Sequence, residues 1–131
     1  MTINELRDIA KLSPCKVIKF AVADGTNFSY NGEFYADCSD CKRTKIEQSY
    51  PECKANHAEW GILAKAHRDG IIPKVLYIYC MTPDGKDYPF KTFWCRTCAI
   101  LIPMFGIDSI YMWNGEQWIF HDPTNLIYEM G

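Results

Sequence analysis

The apolar positions change period along the chain, and the changes divide it into alternating helices and strands. Ile3, Leu6, Ile9, Ala10 and Leu12 recur at helical spacing over residues 3 to 13, and Pro14 ends that segment. Val17 to Val22 has the apolar character of a strand. Asp24-Gly25 behind it carries the signal of a type I′ turn, and Asn27 to Tyr30 can return as a second strand. The helical period reappears at Ala58, Ile62, Leu63 and Ala66, which predicts a helix from about His57 to about Gly70. Val75 to Cys80 is an apolar run of strand length, suited to a central strand buried on both faces. A loop with Pro83, Asp84-Gly85 and Pro89 follows. A helix is then predicted from Cys95 through Cys98, Ala99, Ile102 and Phe105 to Gly106, and a strand from Ser109 to Trp113. Trp113-Asn114-Gly115-Glu116-Gln117-Trp118 is a hairpin signal, so the last strand should run back antiparallel. This order implies a three-layer α/β/α domain around a mixed sheet.

Composition narrows the class. With 131 residues, 48% hydrophobic and 15% aromatic, residues 1–131 are expected to form a single domain with its own core, without disulfide support. A formal net charge of -2 offers no basic stripe, which disfavours polynucleotide binding through phosphates and favours a small-molecule substrate. Met1 to Arg7 shows no basic region leading into an apolar run, and no stretch reaches the ~18 apolar residues of a membrane helix, so a cytoplasmic protein without membrane contact is expected. Seven cysteines, two pairs of them at C-x-x-C spacing, then argue for metal thiolates over a disulfide framework.

The chemistry concentrates in His57-Ala58-Glu59 and Cys95-Arg96-Thr97-Cys98. One imidazole and two thiolates suit Zn²⁺, and three protein ligands leave a fourth position open for water, as in a catalytic site. His-x-Glu followed by Cys-x-x-Cys is the pattern of zinc deaminases that act on nucleobases. Both motifs fall at predicted helix starts, where unpaired backbone N–H groups and the positive end of the helix dipole favour thiolate. Zinc can lower the pKa of bound water to about 7. Glu59, beside the ligand His57, is then the candidate proton shuttle from water to ring nitrogen and leaving amine. Two other readings of the cysteines exist. A redox pair at Cys95/Cys98 leaves His57 and Glu59 without a role, and a zinc ribbon joining Cys38/Cys41 to Cys95/Cys98 exceeds ribbon spacing.

On these residues the chain resembles the cytidine and deoxycytidylate deaminase superfamily, from about Leu6 to Trp113. Ala10 to Cys15 with Ser29-Tyr30-Asn31-Gly32 looks like the start of the deoxycytidylate branch, His57-Ala58-Glu59 like the first zinc motif, and Cys95 to Ala99 with Ile102, Gly106-Ile107 and Ile110 like the second. The resemblance implies a cytidine deaminase-like domain with a mixed five-stranded sheet and a homo-oligomer. It also implies substrate contacts from Asn31 and from the backbone N–H of Ala58. Asn31-Gly32 reads equally well as a plain turn. Trp94 stands where the family usually has proline, and the loop from Met81 to Phe93 is long. The hairpin at Asn114-Gly115 matches the free-cytidine branch, because the deoxycytidylate branch runs its last strands parallel.

Four further thiols, Cys15, Cys38, Cys41 and Cys53, offer a second, structural zinc that would order the polar stretch from Asp37 to Asn56. Phe28, Phe34, Tyr35, Phe93 and Trp94 are candidates to stack on a base, with Phe93 and Trp94 nearest the second motif. Lys42, Arg43 and Lys45 are candidates for a phosphate. The expected function is hydrolytic deamination of a cytosine-type nucleotide or nucleoside, with a small-molecule nucleotide, nucleoside or base as the partner. The competing readings are a deaminase of another amino heterocycle (adenine, guanine or a modified base) and a catalytically silent zinc-binding interaction module.

Overall fold

A computed structural model describes residues 2–39, 41–43, 54–88 and 96–125. The expectations placed on Lys45, Cys53, Phe93, Trp94 and Cys95 fall outside the described residues. The described elements are helix α1 (Ile3–Ala10), strands β1 (Lys19–Ala23) and β2 (Phe28–Tyr30), helix α2 (Ala58–Asp69), strand β3 (Val75–Met81), helix α3 (Arg96–Met104), strands β4 (Ser109–Trp113) and β5 (Trp118–His121), and a short 3-10 turn (Pro123–Asn125).

The strands form one sheet in the order β2-β1-β3-β4-β5. Strand β1 pairs antiparallel with β2 and β3, β3 and β4 run parallel, and β4 and β5 form an antiparallel hairpin. The sheet is therefore mixed and five-stranded, with β3 at its centre. Alternation along the strands sends side chains to opposite faces. Ala21, Ala23, Tyr79 and Met81 meet Leu6 and Ala10 of α1 on one side. Val22, Leu76, Ile78, Ile110 and Met112 face Ala58, Ile62 and Leu63 of α2 and Cys98, Ala99 and Ile102 of α3 on the other. Each of these large aliphatic side chains contributes roughly 1.5–3 kcal/mol by leaving water, so the two buried layers hold the helices at fixed positions over the sheet.

Two local expectations are corrected. The first helix stops at Ala10, short of residue 13. Leu12 and Ser13 donate instead to Ile9 and Ala10 at 3.0 Å, in the tighter i to i+3 pattern. Pro14 disfavours helical backbone at Ser13, whose hydroxyl donates to the Asn31 carbonyl at 2.8 Å. The turn after β1 is not type I′, which needs positive φ at two residues. Only Gly25 has it, at 91°. Asp24 Oδ1 accepts from the N–H groups of Thr26 and Asn27 at 2.8 and 2.7 Å, an Asx turn that makes a second positive φ unnecessary. The β4–β5 turn repeats the device, with Asn114 Oδ1 accepting from Glu116 and Gln117.

Among the described residues no helix is long and apolar enough to cross a membrane.

Candidate metal centre

Helix α2 ends near the start of β3, whereas α3 follows β3 and leads back to the start of the parallel β4. The N-termini of both helices consequently lie at the carboxyl end of the β3–β4 pair, the usual ligand position in α/β sheets. His57 is the N-cap of α2. Its backbone is extended (φ -75°, ψ 149°) and its side chain makes no capping hydrogen bond. Glu59 sits in the first turn and is buried, with 7% of its surface exposed. Cys98 enters from the first turns of α3 and is 2% exposed.

Cys98 Sγ lies 3.8 Å from His57 Nδ1 and donates to Glu59 Oε2 at 3.8 Å. One ligand atom from each of the three residues lies within 4.8 Å of the others. A tetrahedral zinc with usual N and S bond lengths sets its N and S ligands roughly 3.6 Å apart, so the His57–Cys98 pair fits the ion with little movement. Among the described residues, His57, Glu59 and Cys98 are the one group of three or more His, Cys, Asp or Glu side chains close enough to share a metal.

Three of the four thiols expected at a second zinc lie among the described residues. Cys15 and Cys38 are half-buried and Cys41 is exposed. Cys15 Sγ turns back to accept the Ile18 N–H at 3.5 Å. The fourth, Cys53, lies outside the described residues. Cys80 is buried in β3, as expected of a core thiol, and donates to the Tyr88 carbonyl at 3.2 Å. His67 is exposed in the last turn of α2. His121 is half-buried in β5, where desolvation lowers its pKa.

Asn31 is tied to β1. Its Oδ1 accepts from Phe20 N–H at 2.9 Å and its Nδ2 donates to the Ile18 carbonyl at 3.1 Å, so the side chain extends the pairing of β1 beyond β2. Phe28 packs on the α1 side of the sheet, away from the metal cluster. Phe34 and Tyr35 are exposed in the turn after β2.

Several residues around the site gave no signal in the sequence. Asn56, directly before His57, is 7% exposed and hydrogen-bonded through both ends of its side chain. Gly61 allows α2 to lie close over β2, because a Cβ at that position would come 1.8 Å from Ser29 Oγ. Ser29 donates to Glu33 Oε1 at 2.8 Å, and Glu33 pairs with Lys65 of α2 at 2.7 Å. On the opposite face, Asp87 receives Arg7 at 2.6 and 3.1 Å, the Tyr79 hydroxyl, and the Trp113 indole at 3.3 Å, anchoring the loop that follows β3. The Arg7 guanidinium first, and the Tyr79 and Trp113 donors after it, hold the Asp87 carboxyl below the usual carboxylate range.

No family model matches the chain, and no curated protein matches it by sequence. Solved structures match it in fold. A cytidine deaminase from Mycobacterium leprae superposes with a TM-score of 0.51 at 15% identity, over 92% of this chain and 93% of its own. A dCMP deaminase from the cyanophage S-TIM5, in apo form, gives a TM-score of 0.49 at 16% identity, over 84% of this chain and 77% of its own. The mixed five-stranded sheet flanked by three helices is the cytidine deaminase-like fold.

Proposed function

We propose that this chain is a zinc-dependent hydrolytic deaminase of a cytosine-type nucleoside or nucleotide, with His57, Cys95 and Cys98 holding the metal. The observation that carries the reading is the convergence of His57, Glu59 and Cys98 at two helix N-termini inside a cytidine deaminase-like fold. A bound zinc ion would supply Lewis-acid activation of water. Glu59 does the proton work. Its buried carboxylate takes one proton from the attacking water and delivers it to the ring nitrogen, then takes the second from the newly added hydroxyl and hands it to the amine as the carbon–nitrogen bond breaks. Water and the amino heterocycle thereby give the oxo heterocycle and ammonia. The Ala58 N–H lies in the first turn of α2, where no acceptor exists within the helix, and serves the pyrimidine carbonyl. Asn31 acts through the turn it fixes against β1, while Phe93 and Trp94 stack on the base. The antiparallel β4–β5 hairpin agrees with the free-cytidine branch of the resemblance and favours a nucleoside. Exposed Trp60, Ile100 and Met104 on α2 and α3 support association into a homo-oligomer.

The test is ammonia release and product mass from cytidine, deoxycytidine, their monophosphates, adenosine and guanine, using zinc-loaded protein. Turnover of a cytosine compound is expected. Turnover of purines alone selects the second substrate class, and no ammonia from any compound with zinc bound selects a silent binding module.

A further inference from the structure

Asn56 is a buried polar residue whose bonds run both to the turn after β2 and to the N-cap of α2. Its Oδ1 accepts from the N–H groups of Phe34 and Tyr35 at 2.8 and 3.3 Å. Its Nδ2 donates to the carbonyls of His57 and Tyr30 at 3.1 and 3.5 Å. Its backbone completes the connection, accepting from Gly32 N–H at 2.9 Å and donating to Tyr35 O at 3.2 Å. The His57 carbonyl it touches also accepts the first bond of α2, from Gly61 N–H at 3.1 Å. With two donors fixed on one carbonyl, the peptide that carries the His57 ring has little freedom to rotate.

We propose that Asn56 is a positioning residue that fixes the His57 imidazole against Cys98 and so sets the metal affinity of the site. The proposal rests on the metal reading above for its consequence, but its geometric content concerns His57 alone. No other standard side chain of this length offers an acceptor for two N–H groups together with a donor for two carbonyls. Removing the carboxamide takes the side-chain acceptor from the Phe34 and Tyr35 N–H groups and leaves the His57 carbonyl with the Gly61 N–H as its remaining donor, which lets the N-cap peptide turn. Loss of a residue that orients a metal ligand typically costs about 10–100-fold in metal affinity.

The test compares wild type with Asn56→Ala and Asn56→Ser, the second retaining a hydroxyl in case the first does not fold. Ser13→Ala is the control, since it removes a bond to the same turn, at Asn31, without touching His57. Imidazole resonances of the metal-free protein give the first readout, with His67 and His121 as internal references. Cobalt(II) titration, followed by the ligand-to-metal bands of a thiolate site, gives the second. His57 resonances that shift and broaden in the Asn56 variants but hold in Ser13→Ala, with cobalt affinity down about 10–100-fold, support the proposal. A folded Asn56 variant with wild-type His57 resonances and wild-type cobalt affinity overturns it. If wild type takes up no cobalt, the metal reading fails by itself, and the His57 resonances still decide for or against Asn56.

Discussion

Cys98 Sγ and His57 Nδ1 stand 3.8 Å apart although 41 positions separate them in the chain. Neither helix makes that approach alone. It follows from packing α2 and α3 side by side on one face of the sheet, with Ile62, Leu63, Ala99 and Ile102 in a shared core. If the pair holds a metal, His57→Ala and Cys98→Ser should each lower bound zinc from about one equivalent to a small fraction after dialysis, without loss of the sheet. Metal analysis beside far-ultraviolet circular dichroism checks this. Full zinc retention in both variants would remove the site.

The placement of α2 depends on the missing side chain of Gly61. A methyl group there would need space that Ser29 Oγ already fills, at 1.8 Å. Gly61→Ala should destabilise the protein by roughly 2–3 kcal/mol, in the range of an overpacked core, despite the better helix propensity of alanine. Adding Ser29→Gly should recover part of the loss. Thermal melts of the two variants decide, and an unchanged midpoint in Gly61→Ala would show that α2 sits farther from β2.

Asp87 supplies a pH dependence. Its carboxyl is held below the usual range, chiefly by Arg7. The stabilisation is therefore present above the unfolded pKa of about 3.9 and is lost as pH falls through the lower folded value. Asp87→Asn should cost about 2–3 kcal/mol at pH 7, the scale of hydrogen bonds to a charged group, and the gap from wild type should narrow below about pH 4. Urea midpoints across pH measure it. A gap independent of pH would mean that the carboxylate charge contributes nothing.

Most of the fold was legible because its elements carry strong period and termination signals. His57 and Gly70 bracket α2 as N-cap and left-handed C-cap, and Ser109 to Trp113 is a strand with the boundaries the sequence predicted. The antiparallel β4–β5 hairpin also formed, though through the four residues Asn114 to Gln117 and not through a two-residue turn at Asn114-Gly115. What stayed hidden depends on distant partners. Asn56 looks like an ordinary polar residue in a loop, and only the folded turn reveals Phe34, Tyr35 and His57 around it. Asp87 gains its role from Arg7, Tyr79 and Trp113, which sit on three different elements. The meeting of His57, Glu59 and Cys98 was legible from motif spacing alone, because each motif residue lies within the opening turns of its helix and both helices start at the same end of the sheet.

The most direct measurement is turnover of Glu59→Gln beside wild type, both zinc-loaded to the same stoichiometry, on the best cytosine substrate. Glutamine keeps the shape of the side chain and removes its capacity to carry a proton. The account predicts product from wild type and a loss of about 10²–10⁴-fold or more in Glu59→Gln, the contribution of a positioned acid–base group. Equal turnover by the two proteins would contradict it.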